Sequence, residues 1–245
     1  TADTSSFQNP VITSLVRLKT SNAYKVVKDL LLQDPPVFEG DYGYSEIFNL
    51  IQDSLALAKT MFPEVLQLTT LDDYKQPVNN LLRILVDSGY LKSTDYETHF
   101  SKLYFDAKVE LKKQQSRDEK VVKKENDKDE DDESTTSTYK DDYYGGSAGI
   151  DDYAILLMPF YDRNVAVQKY FDKLLMSKDE SLKMSTAILM LRNNKKVPDS
   201  IFASLAMKDQ YRSRLYANLE RIKRVDVFPA AYNNQEALAK SFLLN

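Results

Sequence analysis

The chain of 245 residues contains no cysteine and no tryptophan, and it has one histidine and only six glycines. The absence of cysteine excludes disulfides, thiolate catalysis and zinc sites built on cysteine. The scarcity of glycine argues against an all-β fold, which needs many tight turns. The single histidine, His99, has no second imidazole with which to form a metal site, so we expect it to be an exposed helix residue.

Two common motifs of catalytic and cofactor sites are missing: no His-Glu-x-x-His pattern and no phosphate-binding glycine loop occurs. The acidic run that begins at Asp127 starts like a calcium loop, but its sixth position is Asp132 instead of glycine and its twelfth is Thr138 instead of glutamate. We therefore predict no catalytic residue, no cofactor and no metal site.

Long hydrophobic runs are absent as well. No apolar segment approaches the ~20 residues that a membrane span needs, so we expect no span in this chain. Residues 1–6 have neither a basic segment nor an apolar core, unlike a signal peptide. Because the chain does not begin with methionine, we expect a processed protein or a segment of a longer one, and the compartment stays open.

The net charge of −4 is concentrated in one place. Residues 125–133 contain seven acids and one lysine, which leaves the rest of the chain near neutrality. This distribution provides no basic footprint for nucleic acid, so we expect no nucleic-acid partner. The hydrophobic fraction of 42% and the charged fraction of 29% are typical of a soluble globular chain.

The second half of the chain has the hydrophobic spacing of consecutive short helices. Asn164 is a good N-cap, and Ser177 with Glu180 forms the pattern of a capping box. Further helices are predicted to begin at Pro198 and at Asp209. Behind Asn164, one helix face is formed by Val167, Tyr170, Phe171, Leu174 and Leu175.

The first 111 residues show the same helical spacing. Gly89 provides the left-handed residue that commonly ends a helix. No convincing strand occurs, so we predict an all-α fold of antiparallel helical hairpins in both halves. The predicted helices of this half begin near Ser21, Ser45, Phe62-Pro63, Asp73 and Thr94.

The composition changes abruptly between the halves. Sixteen of the 22 residues at 112–133 are charged, and runs of serine, threonine and glycine follow, so this segment cannot bury enough apolar surface to offset its chain entropy. Opposite charges at i, i+4 could extend the preceding helix for a few turns. We predict a helical subdomain at 1–111, a charged, disordered linker at 112–150 and a helical-repeat subdomain at 151–245 that opens on an Asp151-Asp152 cap.

Two helix starts thirty residues apart look alike, Ser177-Lys178-Asp179 and Met207-Lys208-Asp209. A helical hairpin of roughly 30–45 residues is the unit of the α-solenoids. Residues 165–227 resemble HEAT- and armadillo-like repeats, in which an Asp-headed second helix carries spaced aliphatic residues. The resemblance implies stacked antiparallel hairpins in an α-α superhelix, and an irregular helical bundle with the same periodicity is the alternative.

The stretch from Lys178 to Pro229 is also similar to helical regions of large bacterial envelope proteins that carry a TraB/GumN-type domain. The motifs of that catalytic domain, Gly-x-x-His and Glu-x-x-Arg, do not occur in this chain. The resemblance therefore implies the accessory helical part of a longer bacterial protein, and no catalytic residue is carried over.

Two features are candidates for partner binding. Tyr143 and Tyr144 lie beside two glycines and have no core to enter, so they are candidate docking residues. A cationic strip on the outer face of the fourth helix could receive the acidic linker or an acidic partner, with a solvated polar face as the default. Its members are Lys208, Arg212, Arg214, Arg221, Lys223 and Arg224.

These observations lead to a non-catalytic helical-repeat module that binds a protein or peptide partner, or acts as a scaffold. We predict that deleting residues 112–150 lowers the affinity for the partner. One alternative is a structural spacer between domains, which predicts no unusual exposed apolar patch. The other is a hydrolase or transferase whose residues converge only in three dimensions, which predicts a deep pocket with several ionisable groups of shifted pKa.

Overall fold

The computed structural model describes residues 5–33, 48, 51–126 and 148–243. Within these ranges every regular element is helical: there are eleven α-helices and several short 3-10 helices, and no strand. This confirms the predicted all-α class. None of the described helices combines the length and the apolar character that crossing a membrane requires. The chain divides into two compact units, Thr1–Glu97 and Thr98–Asn245.

The described part of the first unit contains four α-helices: α1 (Ser5–Arg17), α2 (Ser21–Gln33), α3 (Leu55–Leu66) and α4 (Asp72–Asp87). Helix α2 packs against α1 and α3, and α3 packs against α4. Each helix buries one apolar stripe, as the 3.6-residue period requires. The buried side chains of this unit include Ile12, Val16, Tyr24, Val27, Leu31, Phe62, Tyr74, Val78, Leu81, Leu82 and Leu85.

The helix ends of this unit agree only partly with the sequence patterns. Gly89 has φ of 74° and its N–H donates to Val86 O, which confirms it as the left-handed residue after α4. The predicted restart at Phe62-Pro63 is wrong, because Pro63 lies inside α3. Leu71 is the N-cap of α4 and Asp73 lies within the helix, so Asp73 does not occupy the N-cap position that was expected for it. Helix α1 was not predicted, and the start expected at Ser45 lies outside the described residues.

The second unit contains seven α-helices: α5 (Phe100–Asn126), α6 (Ala148–Leu157), α7 (Val165–Leu175), α8 (Glu180–Arg192), α9 (Asp199–Met207), α10 (Asp209–Arg221) and α11 (Gln235–Leu243). Helices that follow one another from α7 to α11 pack together, and the strongest pairs of this unit are α5 with α6, α7 with α8, α9 with α10 and α10 with α11. Helix α8 also contacts both α6 and α10. The core includes Tyr170, Phe171, Leu174, Phe202, Leu205, Leu215 and Leu219.

Helix α5 carries the start of the charged segment into the core of this unit. Its Phe100 ring lies 4.7 Å from the ring of Phe160, and Tyr104 Oη donates to Ala166 O at 3.2 Å. The boundary between the units consequently falls at 97/98, whereas the composition suggested 111/112. Farther along, Gln114 is buried, so the region expected to begin a disordered linker is ordered helix up to Asn126.

Asp118 explains why this charged part of α5 is held in place. Its Oδ2 accepts hydrogen bonds from Ser177 Oγ and from the backbone N–H of Lys178, both at 3.0 Å, and its Oδ1 accepts one from Gln114 at 3.0 Å. The carboxylate therefore ties α5 to the loop between α7 and α8. The rest of the predicted linker, residues 127–147, lies outside the described residues.

The helix starts of the second unit follow the sequence patterns with three differences. Asn164 Oδ1 accepts from Ala166 N and Val167 N, which confirms this N-cap, and α9 begins directly after Pro198 as predicted. The N-cap of α8 is Asp179 and not Ser177: Asp179 Oδ1 accepts from Ser181 N and Leu182 N, whereas Ser177 Oγ accepts from Asp179 N before the helix begins. Helix α6 begins at Ala148, so Asp151 lies within it and does not cap it. Helix α11 was not predicted.

Candidate functional site

The cationic residues expected on one outer strip are distributed over different environments. Arg212 is buried, with 5% of its surface exposed, and is therefore not part of an outer face. Its guanidinium donates to three backbone carbonyls, those of Ala206 at 2.6 Å, Met207 at 3.2 Å and Ala237 at 3.1 Å. It also lies over the ring of Tyr232, 4.8 Å from the centroid. Arg212 holds α9, α10 and α11 together, which is a structural role.

Two further members of the predicted strip are engaged in ion pairs. Lys208 Nζ lies 2.7 Å from Glu180 Oε1, and Arg224 Nε lies 3.0 Å from Asp226 Oδ1. Burial acts to raise the pKa of Glu180, but hydrogen bonds from Lys208 and Lys183 outweigh it, and the pKa is lowered. Lys223 is exposed at a turn with φ of 58°. Tyr143 and Tyr144 lie outside the described residues.

The remaining two predicted residues, Arg214 and Arg221, line a groove of about 470 Å³ between α6, α8 and α10. They share one face of α10 with Asn218, at the spacing i, i+4, i+7. Helix α8 supplies most of the lining, including a stripe of Ser181, Ser185, Ile188 and Arg192. The apolar part of the lining consists of Ala154, Ile155, Leu182, Met184, Ile188 and Leu189.

Three arginines give this groove a cationic rim. Arg192, Arg214 and Arg221 are all exposed. Arg221 Nη2 donates to Asn218 Oδ1 at 2.9 Å, and Asn218 Nδ2 donates to Arg214 O at 2.9 Å, so Asn218 orders the α10 side of the rim. Within the described residues neither Arg214 nor Arg221 forms an ion pair. Their charges are thus available to an anionic ligand.

One carboxyl group lies in the same groove. Asp151 of α6 is half-buried, and Ser185 Oγ donates to its Oδ1 at 2.8 Å, while the same hydroxyl lies 3.0 Å from Leu182 O. Burial raises the pKa of Asp151; the hydrogen bond from Ser185 opposes this, and the nearby carboxylates Asp152 and Asp179 raise it further. The groove therefore contains one anionic group as well as the arginines.

The described lining of the groove contains no imidazole or amine group. A serine nucleophile requires a neighbouring base such as an imidazole or an amine, and the described lining includes neither histidine nor lysine. His99 is not among the lining residues. It is half-buried at the end of a 3-10 turn, and burial, with Lys102, lowers its pKa to about 4, so it is not the exposed helix residue we expected. No cluster of metal-ligating side chains occurs in the described ranges.

Comparisons with protein-family models, with curated proteins and with solved structures find no match. Sequence patterns had singled out Arg214 and Arg221 but not Arg192 or the pair formed by Asp151 and Ser185. The spacing of Ser181, Ser185, Ile188 and Arg192 along one face of α8 was a signal for such a surface, although nothing local indicates which helix faces stay uncovered.

Proposed function

We propose that the second unit is a non-catalytic binding module whose groove between α6, α8 and α10 takes an acidic segment of a protein partner. The observation that supports this most is the combination of three exposed arginines, Arg192, Arg214 and Arg221, with a mostly apolar lining in one groove. An occupant needs carboxylates for the rim and apolar side chains for the rest. An acidic amphipathic peptide has both.

The physical basis is the guanidinium group. Arginine presents a planar fork of N–H donors that fits a carboxylate in a bidentate manner, and it is less strongly hydrated than lysine. The groove volume of about 470 Å³ lies within the usual range for ligand sites. Laying an amphipathic segment along a groove between helices is a recurrent mode of peptide recognition.

The architecture that we propose for this module is the stacked arrangement of HEAT- and armadillo-like hairpins. Support comes from the contacts between chain neighbours, α7 with α8, α8 with α9, α9 with α10 and α10 with α11, and from the additional contact of α8 with α10. An irregular bundle remains the alternative. We propose in addition that the chain is part of a longer bacterial envelope protein that carries a TraB/GumN-type domain. This part of the proposal depends only on the similarity of residues 178–229 to helical regions of such proteins.

The test is a binding titration with a fluorescently labelled acidic peptide of about 15 residues, in which leucines recur at helical spacing among glutamates. Reversing both α10 arginines, Arg214→Glu with Arg221→Glu, replaces two attractions by repulsions. With about 0.5–1 kcal/mol for each exposed charge contact, the dissociation constant is expected to increase roughly tenfold or more.

A matched control separates the groove from the overall charge. Lys169→Glu with Lys196→Glu changes the net charge by the same amount at exposed positions outside the groove. We expect this control to retain nearly the affinity of the unaltered protein, and circular dichroism should show equal helicity for both variants. Equal weakening by both variants would contradict the proposal, because it would show a response to net charge only.

The predicted role of Tyr143 and Tyr144 is tested in the same titration. Deleting residues 112–150 is unsuitable, because it would also remove Asp118 with its three hydrogen bonds and the buried Ile150. The double substitution Tyr143→Ala with Tyr144→Ala avoids this damage. If the tyrosines take part in docking, the peptide binds severalfold more weakly, and an unchanged affinity removes them from the proposed site.

A further inference from the structure

The groove carries opposite charges on two of its helices. The arginines Arg214 and Arg221 are on α10, whereas Asp151 is on α6, and both helices flank α8. An occupant with carboxylates alone would satisfy the arginine side and leave Asp151 facing a second negative group or water. Asp151 therefore indicates a further property of the ligand, which the arginines do not account for.

The surroundings of Asp151 favour a cation. The described charged groups that influence Asp151 most are the carboxylates Asp152 and Asp179, and not the rim arginines. Burial and these two neighbours raise the pKa of Asp151, which means that its ionised form is under-stabilised in the free protein. A positive ligand group beside it would relieve this cost.

Two consecutive residues of α8 in the lining carry hydroxyl groups. Ser185 Oγ is 2.8 Å from Asp151 Oδ1. Thr186, the next residue of α8, also lines the groove with only 1% of its surface exposed, and its buried hydroxyl has no hydrogen-bond partner within the described residues. A buried hydroxyl without a partner is uncommon in folded proteins and points to a ligand or an ordered water. The carboxylate and the hydroxyls together offer acceptors to a donor-rich group.

We propose that Asp151, Ser185 and Thr186 form a subsite for a lysine ammonium group, so that the recognised segment carries a lysine in addition to its acidic residues. This inference rests on the proposed function of the groove. An ammonium group is compact, has three donors and no acceptor, and suits a carboxylate flanked by hydroxyls. A guanidinium group, with its wide planar fork, suits this small cluster less well.

The experiment scans a single lysine through the acidic peptide, replacing one leucine or glutamate at a time, and pairs each lysine peptide with its glutamine counterpart. Titrations use the full chain and its Asp151→Asn variant, in which the carboxamide oxygen still accepts from Ser185. We expect one position at which lysine binds about tenfold more tightly than glutamine to the unaltered protein. This preference should disappear in the Asn variant, and Ser185→Ala should reduce it severalfold.

The outcomes distinguish the inference from the proposed function. If acidic peptides bind in a manner that depends on Arg214 and Arg221 but no lysine position is preferred, the subsite is overturned while the groove remains. A lysine preference that persists in Asp151→Asn overturns the subsite too. If no acidic peptide binds at all, the proposed function fails and the subsite fails with it.

Discussion

The replacement of Arg212 by methionine removes a buried guanidinium while keeping a side chain of similar length. Arg212 lies on α10, and two of its acceptors, Ala206 O and Met207 O, are the last two carbonyls of α9. Carbonyls at a helix C-terminus have no partner within their own helix, and a cation there also interacts favourably with the helix dipole. The third acceptor, Ala237 O, belongs to α11. The Arg212 side chain thus donates hydrogen bonds to the C-terminal carbonyls of α9 and attaches α11 to α10.

The expected loss of stability follows from these contacts. A hydrogen bond from a charged donor contributes about 1.5–3 kcal/mol net, and removing one partner of a buried polar network costs about 3–5 kcal/mol. Water can replace part of the interaction at the less buried carbonyls, so we expect Arg212→Met to lower the free energy of unfolding by about 3 kcal/mol. Arg212→Lys keeps the charge but not the planar fork, and about half of that loss is expected for it.

The assay is urea unfolding followed by far-UV circular dichroism, with the free energy of unfolding obtained by linear extrapolation. Arg214→Met is the matched control, since it removes an arginine from the exposed face of the same helix and should change stability by no more than about 0.5 kcal/mol. If the two variants lost equal stability, the structural role assigned to Arg212 would be refuted.

Two further predictions concern Asp118 within α5 and His99 directly before it. Asp118→Ala should destabilise the protein by about 1–2 kcal/mol in the same assay, because it removes three hydrogen bonds. Glu119→Ala, at the exposed neighbouring position, is the control and should be nearly neutral. Equal losses of stability in the two variants would contradict the tie between Asp118 and Ser177. The pKa of His99 is lowered to about 4 in the folded state, so the unfolded chain takes up the proton first and stability falls as the pH drops from 6.5 towards 4. After allowance for partial exposure this loss is about 1–2 kcal/mol. His99→Gln should remove it, and an unchanged pH profile in that variant would show that the imidazole is not responsible.

Local sequence patterns were sufficient where the partner of a side chain is a near neighbour. The cap at Asn164 bonds two N–H groups within three residues, and Gly89 ends α4 through its own positive φ. The N-cap of α8 is equally local, because Asp179 Oδ1 accepts from Ser181 N and Leu182 N, and the sequence alone does not decide between Asp179 and Ser177. The hydrogen bond from Ser177 to Asp118, 59 residues earlier in the chain, lies beyond any local pattern.

For Arg212, the sequence contains two indications of burial that disagree, its position in the helical period and its charge. It is spaced i, i+3, i+7 with Leu215 and Leu219, the buried leucines of α10, so the helical period alone places it on the inner face. Its charge led to the opposite expectation. Arg214 and Arg221 fall on a different face of the same helix, and the period separates them from Arg212 correctly.

Helix α11 was missed for a different reason. Helix α11 is held by polar contacts: Ser241 is fully buried, accepts from Ser213 N at 2.8 Å and donates to Asp209 O, and Lys240 pairs with Asp209 at 2.8 Å. A pattern search for apolar stripes cannot detect a helix that docks through a buried serine. The groove was likewise beyond local prediction, because its lining comes from three helices whose contacts are set by tertiary packing.

A charge-swap titration tests whether the arginines of the groove recognise an acidic segment. The Arg214→Glu/Arg221→Glu variant is titrated with the acidic peptide and with a peptide in which every glutamate is replaced by lysine. The account predicts that the unaltered protein prefers the acidic peptide and that the variant prefers the lysine peptide. An unchanged preference for the acidic peptide in the variant would contradict the account, because the binding site would then lie elsewhere.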